Sequence, residues 1–495
     1  MKKQKNEMSN EATLFAVNKP SIHIFTAVTL LLVHLSAGAY ELGTHARLTY
    51  KAYEQSVLKK DDKLIKDLGI DLSSPNDPFG TVYYDASGTS VSERNASTFE
   101  AGLMDDSDNP NPVIPLGTNP LSLPGWLLRG AIREDDWTGV NIPGCVVQAD
   151  NPQDDPYSNP PDRPSNHFYD PIYNQPLTVI GPLGKKAPDW ASGTDDVFNQ
   201  PNTPENGRRN HFTVFDAREA LYRALTGLLP DDAEIPVPSG STATNERKKY
   251  WATTFRALGD IVHLVQDMGQ PQHTRNDPHF GNDCYEALTG HKSLYEAYIE
   301  TRAAAKAFEL PSGDKFIPPP LTYDGYATPR FTDYLSYFTT RHKEGDLLKR
   351  QGLADYSNRG FFSAGKNLNP FDPQYEYPSN NAPSYGRQTV QTNWIGVPFG
   401  GAMTLFIGSV PDSLTGQNVA NVPLTAIGAW DQFLEQKNLF SISRYTLVRE
   451  NYDAQADLLI PRAVAYSAGL IDYFFRGRIE AEDAHYTEAD TRRTT

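Results

Sequence analysis

The chain of 495 residues contains only two cysteines, Cys145 and Cys284. They lie far apart and lack the close spacing of cysteines that bind metals. In an exported protein the two could form a single disulfide, although the sequence does not show that they meet. Cysteine chemistry is therefore not expected to be the function.

The sequence also lacks a run of lysines or arginines, and it contains no internal repeat. The formal net charge is -16, so a polyanion would be attracted only by a local cluster of cations or by bound metal. Nucleic acid is therefore the less favoured partner. The hydrophobic content of 39% is compatible with a large buried core.

Long apolar runs are absent except near the N-terminus. Four lysines precede an apolar run at residues 25–35, which is followed by Ala37, Gly38 and Ala39. This pattern predicts a signal peptide at residues 1–39 that is cleaved after Ala39, and the run is short for a bilayer span. The mature protein would begin at Tyr40 and be secreted or periplasmic. An uncleaved membrane anchor is the alternative.

Helical spacing of apolar residues dominates the rest of the chain. It predicts helices over the segments 45–68, 215–225, 250–268, 294–308, 331–338 and 445–475. Pro461 is expected to break the last of these helices. We therefore predict an all-α fold, a multi-helix bundle in which residues 40–495 form a single domain.

Proline, asparagine, aspartate and glycine are concentrated in the segments between these helices. The segments 72–124, 141–164, 181–206 and 367–385 predict long loops, which often form the rims of functional sites. Residues 390–424 alternate short apolar runs with glycine and proline, which predicts a small β excursion. It would belong to a loop and β-rich insertion at about 367–440.

The segment IVHLVQDMGQPQHTRND, residues 261–277, has the spacing of a metal site. His263 and Asp267 are four residues apart, so both side chains project from one helix face. Gly269 and Pro271 end the helix, which allows His273 to turn back towards them. Imidazole and carboxylate in this arrangement suit zinc. The alternative is a solvated polar stripe.

Further candidate ligands occur in order along the chain. Four of the 11 histidines lie between residues 263 and 291, and another lies in the segment RPSNHFYDP at 163–171. Three acids follow a helical run at 134–136, and a histidine lies five residues after Tyr40. In this order the motifs resemble the zinc-dependent phospholipase C family. That family belongs to a superfamily shared with the fungal single-strand nucleases, which are all-helical and bind three zinc ions.

The resemblance implies three zinc ions and assigns their ligands. The first ion would be bound by Asp135, His167, His263 and Asp267, the second by the α-amine and carbonyl of Tyr40 with His45 and bridging Asp267, and the third by His273, His291 and Glu296. An α-amine has a pKa near 8, so it can lose its proton to a metal once the signal peptide has been removed. Export and activation would then coincide.

Two ligand assignments stay open. The acid of the first ion could be Glu134, Asp135 or Asp136, of which we choose Asp135. His291 and Glu296 are five residues apart, whereas the family's last His and Glu are four apart, so His291 would lie at a helix start or across a bulge. His279 is the alternative ligand.

The resemblance implies an exported zinc-dependent phosphodiesterase that hydrolyses phospholipids to diacylglycerol and a phosphorylated head group. Its partner would be a phospholipid in a transiently contacted membrane surface, and Asp135 would act as the general base. One alternative is a single-strand nuclease or 3'-nucleotidase, whose spacing resembles that of Tyr40 and His45. The motif HFYDP is a longer match and favours the lipase. The other alternative is a non-catalytic exported helical protein that binds zinc for structure only.

Overall fold

The structure is a computed structural model. It describes residues 42–70, 79–85, 88–92, 109–135, 140–142, 145–147, 163–178, 182, 184–197, 210–277, 279, 293–309, 315–341, 350–363, 386–392, 401–427, 437 and 446–476. These residues all belong to one compact unit. The predicted signal peptide, Tyr40, Asp136, Cys284 and His291 lie outside them, and so does any Cys145–Cys284 disulfide.

The described residues include twelve α-helices and one 3₁₀ helix. The α-helices are α1 (Leu42–Gln55), α2 (Val57–Lys60), α3 (Asp62–Asp67), α4 (Leu123–Arg133), α5 (Ala187–Ser192), α6 (Val214–Thr226), α7 (Ala243–Asp267), α8 (Pro271–Thr274), α9 (Leu294–Ala303), α10 (Leu335–Phe338), α11 (Leu353–Gly360) and α12 (Arg449–Phe475). The 3₁₀ helix spans Arg163–Asn166. All six predicted helical segments overlap at least one of these helices.

The prediction of an all-α fold is wrong, because nine described strands pair in antiparallel sheets. The strands are β1 (Val82–Tyr84), β2 (Ser90–Ser92), β3 (Val140–Ile142), β4 (Cys145–Val147), β5 (Phe308–Glu309), β6 (Lys315–Phe316), β7 (Gly386–Thr392), β8 (Gly401–Pro411) and β9 (Asn418–Ile427). Strands β1 to β4 pair within segments for which helical periodicity gave no signal. Strand β5 begins at Phe308, which the sequence placed at the end of the predicted helix 294–308, whereas α9 ends at Ala303. The fold is mixed α and β.

The largest sheet has the strand order β7-β8-β9 and overlaps the segment in which a β excursion was expected. Met403, Leu405 and Phe406 of β8 are buried, as are Leu424 and Ala426 of β9. The sheet therefore packs apolar side chains into the core. It is part of the core and not only a small excursion at the surface.

Helix α7 lies at the centre of the core. It begins at the N-cap Thr242, whose side chain accepts a hydrogen bond from the Asn245 backbone. It packs against α1, α4, α6 and α12. At the crossing of α4 and α7, a Cβ on Gly130 would lie 2.0 Å from the Arg256 carbonyl oxygen, and one on Gly259 would lie 2.2 Å from that of Leu127. Only glycine allows the two backbones to approach so closely.

Helix α12 continues through Pro461, so the predicted break is wrong. Residues on both sides of the proline, including Leu459, Ile460 and Val464, are fully buried. Their packing outweighs the backbone hydrogen bond that a proline removes. Among the described residues α12 is the one helix long and apolar enough to cross a membrane, and 78% of its apolar window is buried inside the protein. A core helix has the same properties.

Candidate metal centre

Side chains from distant parts of the chain converge at the C-terminal end of α7. The described residues form three groups of donors that could hold a metal ion: Asp135, His167 and His263; His45, His263 and Asp267; His273, His279 and Glu296. We call these the first, second and third groups. Except for Asp135, every side chain in them is at most 4% exposed. The alternative of a solvated polar stripe is therefore wrong.

The first group, together with Asp267, has the dimensions of a tetrahedral site. His167 Nδ1 lies 3.3 Å from His263 Nε2 and 3.4 Å from Asp135 Oδ1. Asp267 Oδ2 lies 3.1 Å from His167 Nδ1 and 3.2 Å from His263 Nε2. Ligands at about 2.0–2.1 Å from a tetrahedral zinc lie about 3.3 Å from one another. These four side chains thus fit a zinc-sized cation without rearrangement.

Asp267 connects the first and second groups. Its Oδ2 faces His167 and His263, whereas its Oδ1 lies 3.4 Å from His45 Nε2. Neither oxygen accepts a hydrogen bond, although the carboxylate is fully buried. A buried carboxylate without hydrogen bonds is costly unless it is paired or binds a metal. Asp267 is therefore placed to bridge two cations.

The third group contains His279 in the place expected for His291. His273 Nε2 lies 3.3 Å from His279 Nε2, and His279 Nε2 lies 2.6 Å from Glu296 Oε1. The second distance is that of a hydrogen bond. A bound cation would require His279 Nε2 and Glu296 Oε1 to move apart, to the distance of about 3.3 Å between ligands of a tetrahedral zinc. Glu296 lies in the first turn of α9, which Ser293 caps. The structure thus supports His279, while His291 lies outside the described residues.

Hydrogen bonds to carbonyl oxygens fix the imidazoles of three histidines. Nδ1 of His263 donates to Ala131 O at 2.5 Å, and Nδ1 of His279 donates to Asp277 O at 2.9 Å. His273 Nδ1 donates to His167 O at 3.2 Å. A carbonyl oxygen can only accept, so each of these Nδ1 atoms carries a proton, and Nε2 is the nitrogen that can bind a metal once its own proton, if present, is lost.

This proton arrangement favours a cation in the third group. The Nε2 atoms of His273 and His279 face each other at 3.3 Å. At neutral pH the proton on His279 Nε2 is shared with Glu296, because its Nδ1 is already protonated. If a metal displaced that proton, both Nε2 atoms could coordinate it while each Nδ1–H stays hydrogen-bonded to a carbonyl oxygen, as in zinc sites whose histidines donate the outer N–H to the protein.

The carboxylates of the centre have opposite pKa shifts. Burial raises the pKa of Asp135 well above its usual value despite nearby His167, and the negative charges of Asp267 and Glu296 raise it further. Burial would also raise the pKa of Asp267, but His263 and His273 outweigh it and hold the pKa well below the usual value. The raised pKa of Asp135 reflects the cost of adding a further negative charge to this buried space, a cost that a divalent cation would remove.

The histidines show the same competition between burial and charge. Burial and neighbouring His45 lower the pKa of His263 to about 4, so this ring is neutral at pH 7. Burial would lower the pKa of His167 and of His279, but Asp267 and Glu296 outweigh it and raise the values to about 10 and about 9. A metal would have to displace these protons, so its binding should release protons.

The structure distinguishes between the acids at 134 and 135. Glu134 accepts a hydrogen bond from Trp190 Nε1 at 2.6 Å and pairs with Arg163. Asp135 Oδ1 instead lies near His167 and His263, at 3.4 and 3.7 Å. Asp135 therefore occupies the ligand position.

Comparison with protein-family models, curated proteins and solved structures found no match.

Sequence reasoning missed the residues that orient the ligands. Gln266 accepts a hydrogen bond from His45 Nδ1 at 2.7 Å and donates to Thr49 Oγ1 at 2.9 Å. A polar residue beside Asp267 in an otherwise apolar helical stretch was a signal for this role. The carbonyl of Ala131, which fixes His263, had no side-chain signal at all.

Proposed function

We propose that the protein is an exported, zinc-dependent phosphodiesterase that hydrolyses phospholipids to diacylglycerol and a phosphorylated head group. The observation that carries this proposal is the position of Asp267, whose two oxygens face two different sets of histidines at 3.1–3.4 Å. A bridging carboxylate holds cations a few ångströms apart, which is the arrangement of two-metal hydrolysis of phosphate esters.

Zinc is the proposed metal, and three ions are the proposed number. The donors are imidazole nitrogens and carboxylate oxygens, a set that zinc binds readily. Two ions would be held around Asp267, and the third by His273, His279 and Glu296. The third group has three protein donors, which leaves a coordination position for water or substrate. Such ions supply a water of lowered pKa and neutralise the charge of a phosphate.

Asp135 is proposed to take the proton from the attacking water. Its side chain is 9% exposed, whereas those of His167, His263 and Asp267 are fully buried. Among the described members of the centre, Asp135 thus lies nearest to solvent, where water would enter. A carboxylate at this position can orient the water and hold its proton.

The mature N-terminus is proposed to complete the second group. His45 lies in α1, three residues after Leu42, the first described residue, and its Nε2 faces Asp267. Within the described residues the second group offers only His45, His263 and Asp267. The amine and carbonyl of Tyr40 would add donors after cleavage at Ala39, so the protein would gain activity on export.

A single-strand nuclease or 3'-nucleotidase is the second candidate, favoured by the five-residue spacing of Tyr40 and His45. Such an enzyme stacks bases on aromatic faces. Phe168, Tyr169 and Tyr295 lie near the centre in sequence, and each is at most 2% exposed. Phe168 is moreover stacked on His273, with ring centroids 4.3 Å apart. These faces are not free for a base, which supports the lipid substrate.

The proposal is tested with purified protein that begins at Tyr40, loaded with zinc and assayed with and without chelator. Phosphatidylcholine vesicles and single-stranded DNA are the parallel substrates. We expect release of a phosphorylated head group that the chelator abolishes. Cleavage of DNA alone would favour the nuclease. Absence of both activities in folded, zinc-loaded protein would favour the non-catalytic alternative.

A matched control tests the role of the N-terminus. The same chain carrying one additional residue before Tyr40 has its α-amine displaced from the second group. We expect this extended protein to fold normally but to lose most of its activity and one bound zinc. Equal activity and equal zinc content in the two proteins would contradict the proposed role of Tyr40.

A further inference from the structure

Glu134 is adjacent in sequence to the proposed ligand Asp135, yet its carboxylate has different partners. The side chain is fully buried. Oε1 accepts a hydrogen bond from Trp190 Nε1 at 2.6 Å, and Oε2 is paired with Arg163 Nη2. The same Arg163 nitrogen lies 2.7 Å from Asp260 Oδ1. Glu134 is therefore held rigidly from two sides.

The oxygen of Glu134 that accepts from Trp190 also lies close to His167. Glu134 Oε1 lies 3.5 Å from His167 Nε2, and both side chains are fully buried. The other nitrogen, Nδ1, lies 3.3 Å from His263 Nε2 and 3.1 Å from Asp267 Oδ2. His167 thus contacts Glu134 with one nitrogen and the donors of the first group with the other.

The orientation of His167 is the reverse of that of its neighbours. His45, His263, His273 and His279 all use Nδ1 for a hydrogen bond to the protein. His167 turns Nδ1 inward instead. Nδ1 has a lone pair to offer only if the proton resides on Nε2, and a buried N–H needs an acceptor. Glu134 Oε1, at 3.5 Å, is a carboxylate oxygen that this N–H can approach with a small rotation of the ring.

We propose that Glu134 is a positioning residue that holds the proton on His167 Nε2 and thereby presents Nδ1 to the metal of the first group. A carboxylate in this position fixes the tautomer and the ring orientation and makes the imidazole a stronger donor. The inference rests on the metal centre of the proposed function, but it does not require that the substrate be a phospholipid.

The surrounding charges fit this role. Arg163 stacks over Trp190, with its guanidinium carbon 5.5 Å from the ring centroid, and Arg256 Nε lies 3.9 Å from Asp260 Oδ2. Fully buried ion pairs are seldom more stabilising than apolar residues of the same volume. We therefore infer that these buried charges hold the Glu134 carboxylate in place and do not act through stability alone.

The test compares Glu134→Gln with Asp260→Asn in the full mature chain. Both substitutions remove one buried carboxylate that pairs with Arg163, but only Glu134 contacts His167. Zinc affinity is measured at fixed pH by competition with a chromophoric chelator, and unfolding by urea reports stability. We expect Glu134→Gln to weaken one zinc site by about 10- to 100-fold. Asp260→Asn should leave all sites within about threefold of wild type, because Asp260 pairs with Arg163 and not with a proposed ligand.

The outcomes separate positioning from a structural role. Equal weakening in the two variants would show that the charge cluster acts only through stability. Unchanged zinc affinity in Glu134→Gln would overturn the inference directly. Either result would leave the proposed function standing, whereas a wild-type protein that binds no zinc would refute the metal centre itself.

A second measurement needs no variant and applies even if Glu134→Gln does not fold. ¹⁵N NMR of histidine-labelled, zinc-loaded wild-type protein reports which nitrogen of each ring carries a proton. We expect His167 to have a protonated Nε2 and a metal-bound Nδ1, with the opposite pattern for His263. A protonated Nδ1 on His167 would overturn the inference.

Discussion

Helices α4 and α7 cross where Gly130 of α4 lies against Gly259 of α7. Replacing Gly259 by alanine should push the two helices apart. The new Cβ would lie 2.2 Å from the Leu127 carbonyl oxygen and 2.9 Å from Gly130 Cα, and contacts under 3.0 Å essentially never occur. The helices would have to separate by roughly 0.8 Å, because the obstacle is backbone and cannot rotate away.

The cost of this substitution follows from two opposing effects. Alanine in a helix interior gains about 1 kcal/mol over glycine. Overpacking costs about 1–3 kcal/mol, and more when backbone atoms clash. We expect Gly259→Ala to lower the free energy of unfolding by about 2 kcal/mol. Urea denaturation of the metal-free protein measures it.

The same displacement should reach the metal centre. Ala131 of α4 accepts the hydrogen bond of His263 Nδ1 at 2.5 Å, and Asp135 follows the same helix. A shift of roughly 0.8 Å would leave that hydrogen bond weak or broken. We therefore expect zinc affinity of the first group to fall by about tenfold or more.

Gly469→Ala is the matched control. A Cβ at Gly469 in α12 would lie 2.5 Å from the Pro329 carbonyl oxygen, a clash of similar kind away from these ligands. It should destabilise the protein without selective loss of zinc. The reasoning would be refuted if Gly259→Ala had wild-type stability, or if both variants lost zinc affinity equally.

Three further predictions concern single side chains. Asp267→Asn should reduce the zinc content by two ions while the group around Glu296 keeps its ion; metal analysis that finds full content would contradict the bridging role. His279→Ala should remove one ion and His291→Ala none, and the reverse result would restore the original assignment. Burial raises the pKa of Asp189 from 3.8 to about 6 despite nearby Lys186. The protonated side chain therefore stabilises the folded protein fully below about pH 4, and this stabilisation is lost as the pH rises to about 6. In urea denaturation, Asp189→Asn should therefore gain stability relative to wild type by up to about 3 kcal/mol between pH 4 and pH 7, and a constant difference would show that the shift is absent.

The sequence determined the local geometry of the centre. Helical spacing placed His263 and Asp267 on one face of α7. Helix α7 ends at Asp267, and the turn into α8 brings His273 Nδ1 to 3.8 Å from Asp267 Oδ2. These features depend on contacts between residues a few positions apart, which periodicity and helix-ending residues control. The same local character explains why the helices were foreseen.

Tertiary structure decided which of several candidate ligands face the metal donors. Glu134 and Asp135 are adjacent acids, and only the positions of Arg163 and His167 assign one to a charge cluster and the other to the metal donors. His279 lies 2.6 Å from Glu296, and no local pattern specifies this contact between residues that are distant in sequence. The short hairpins and the uninterrupted α12 likewise depend on packing between distant segments. Burial energy is summed over the whole fold, so it can override the local preferences from which a sequence is interpreted.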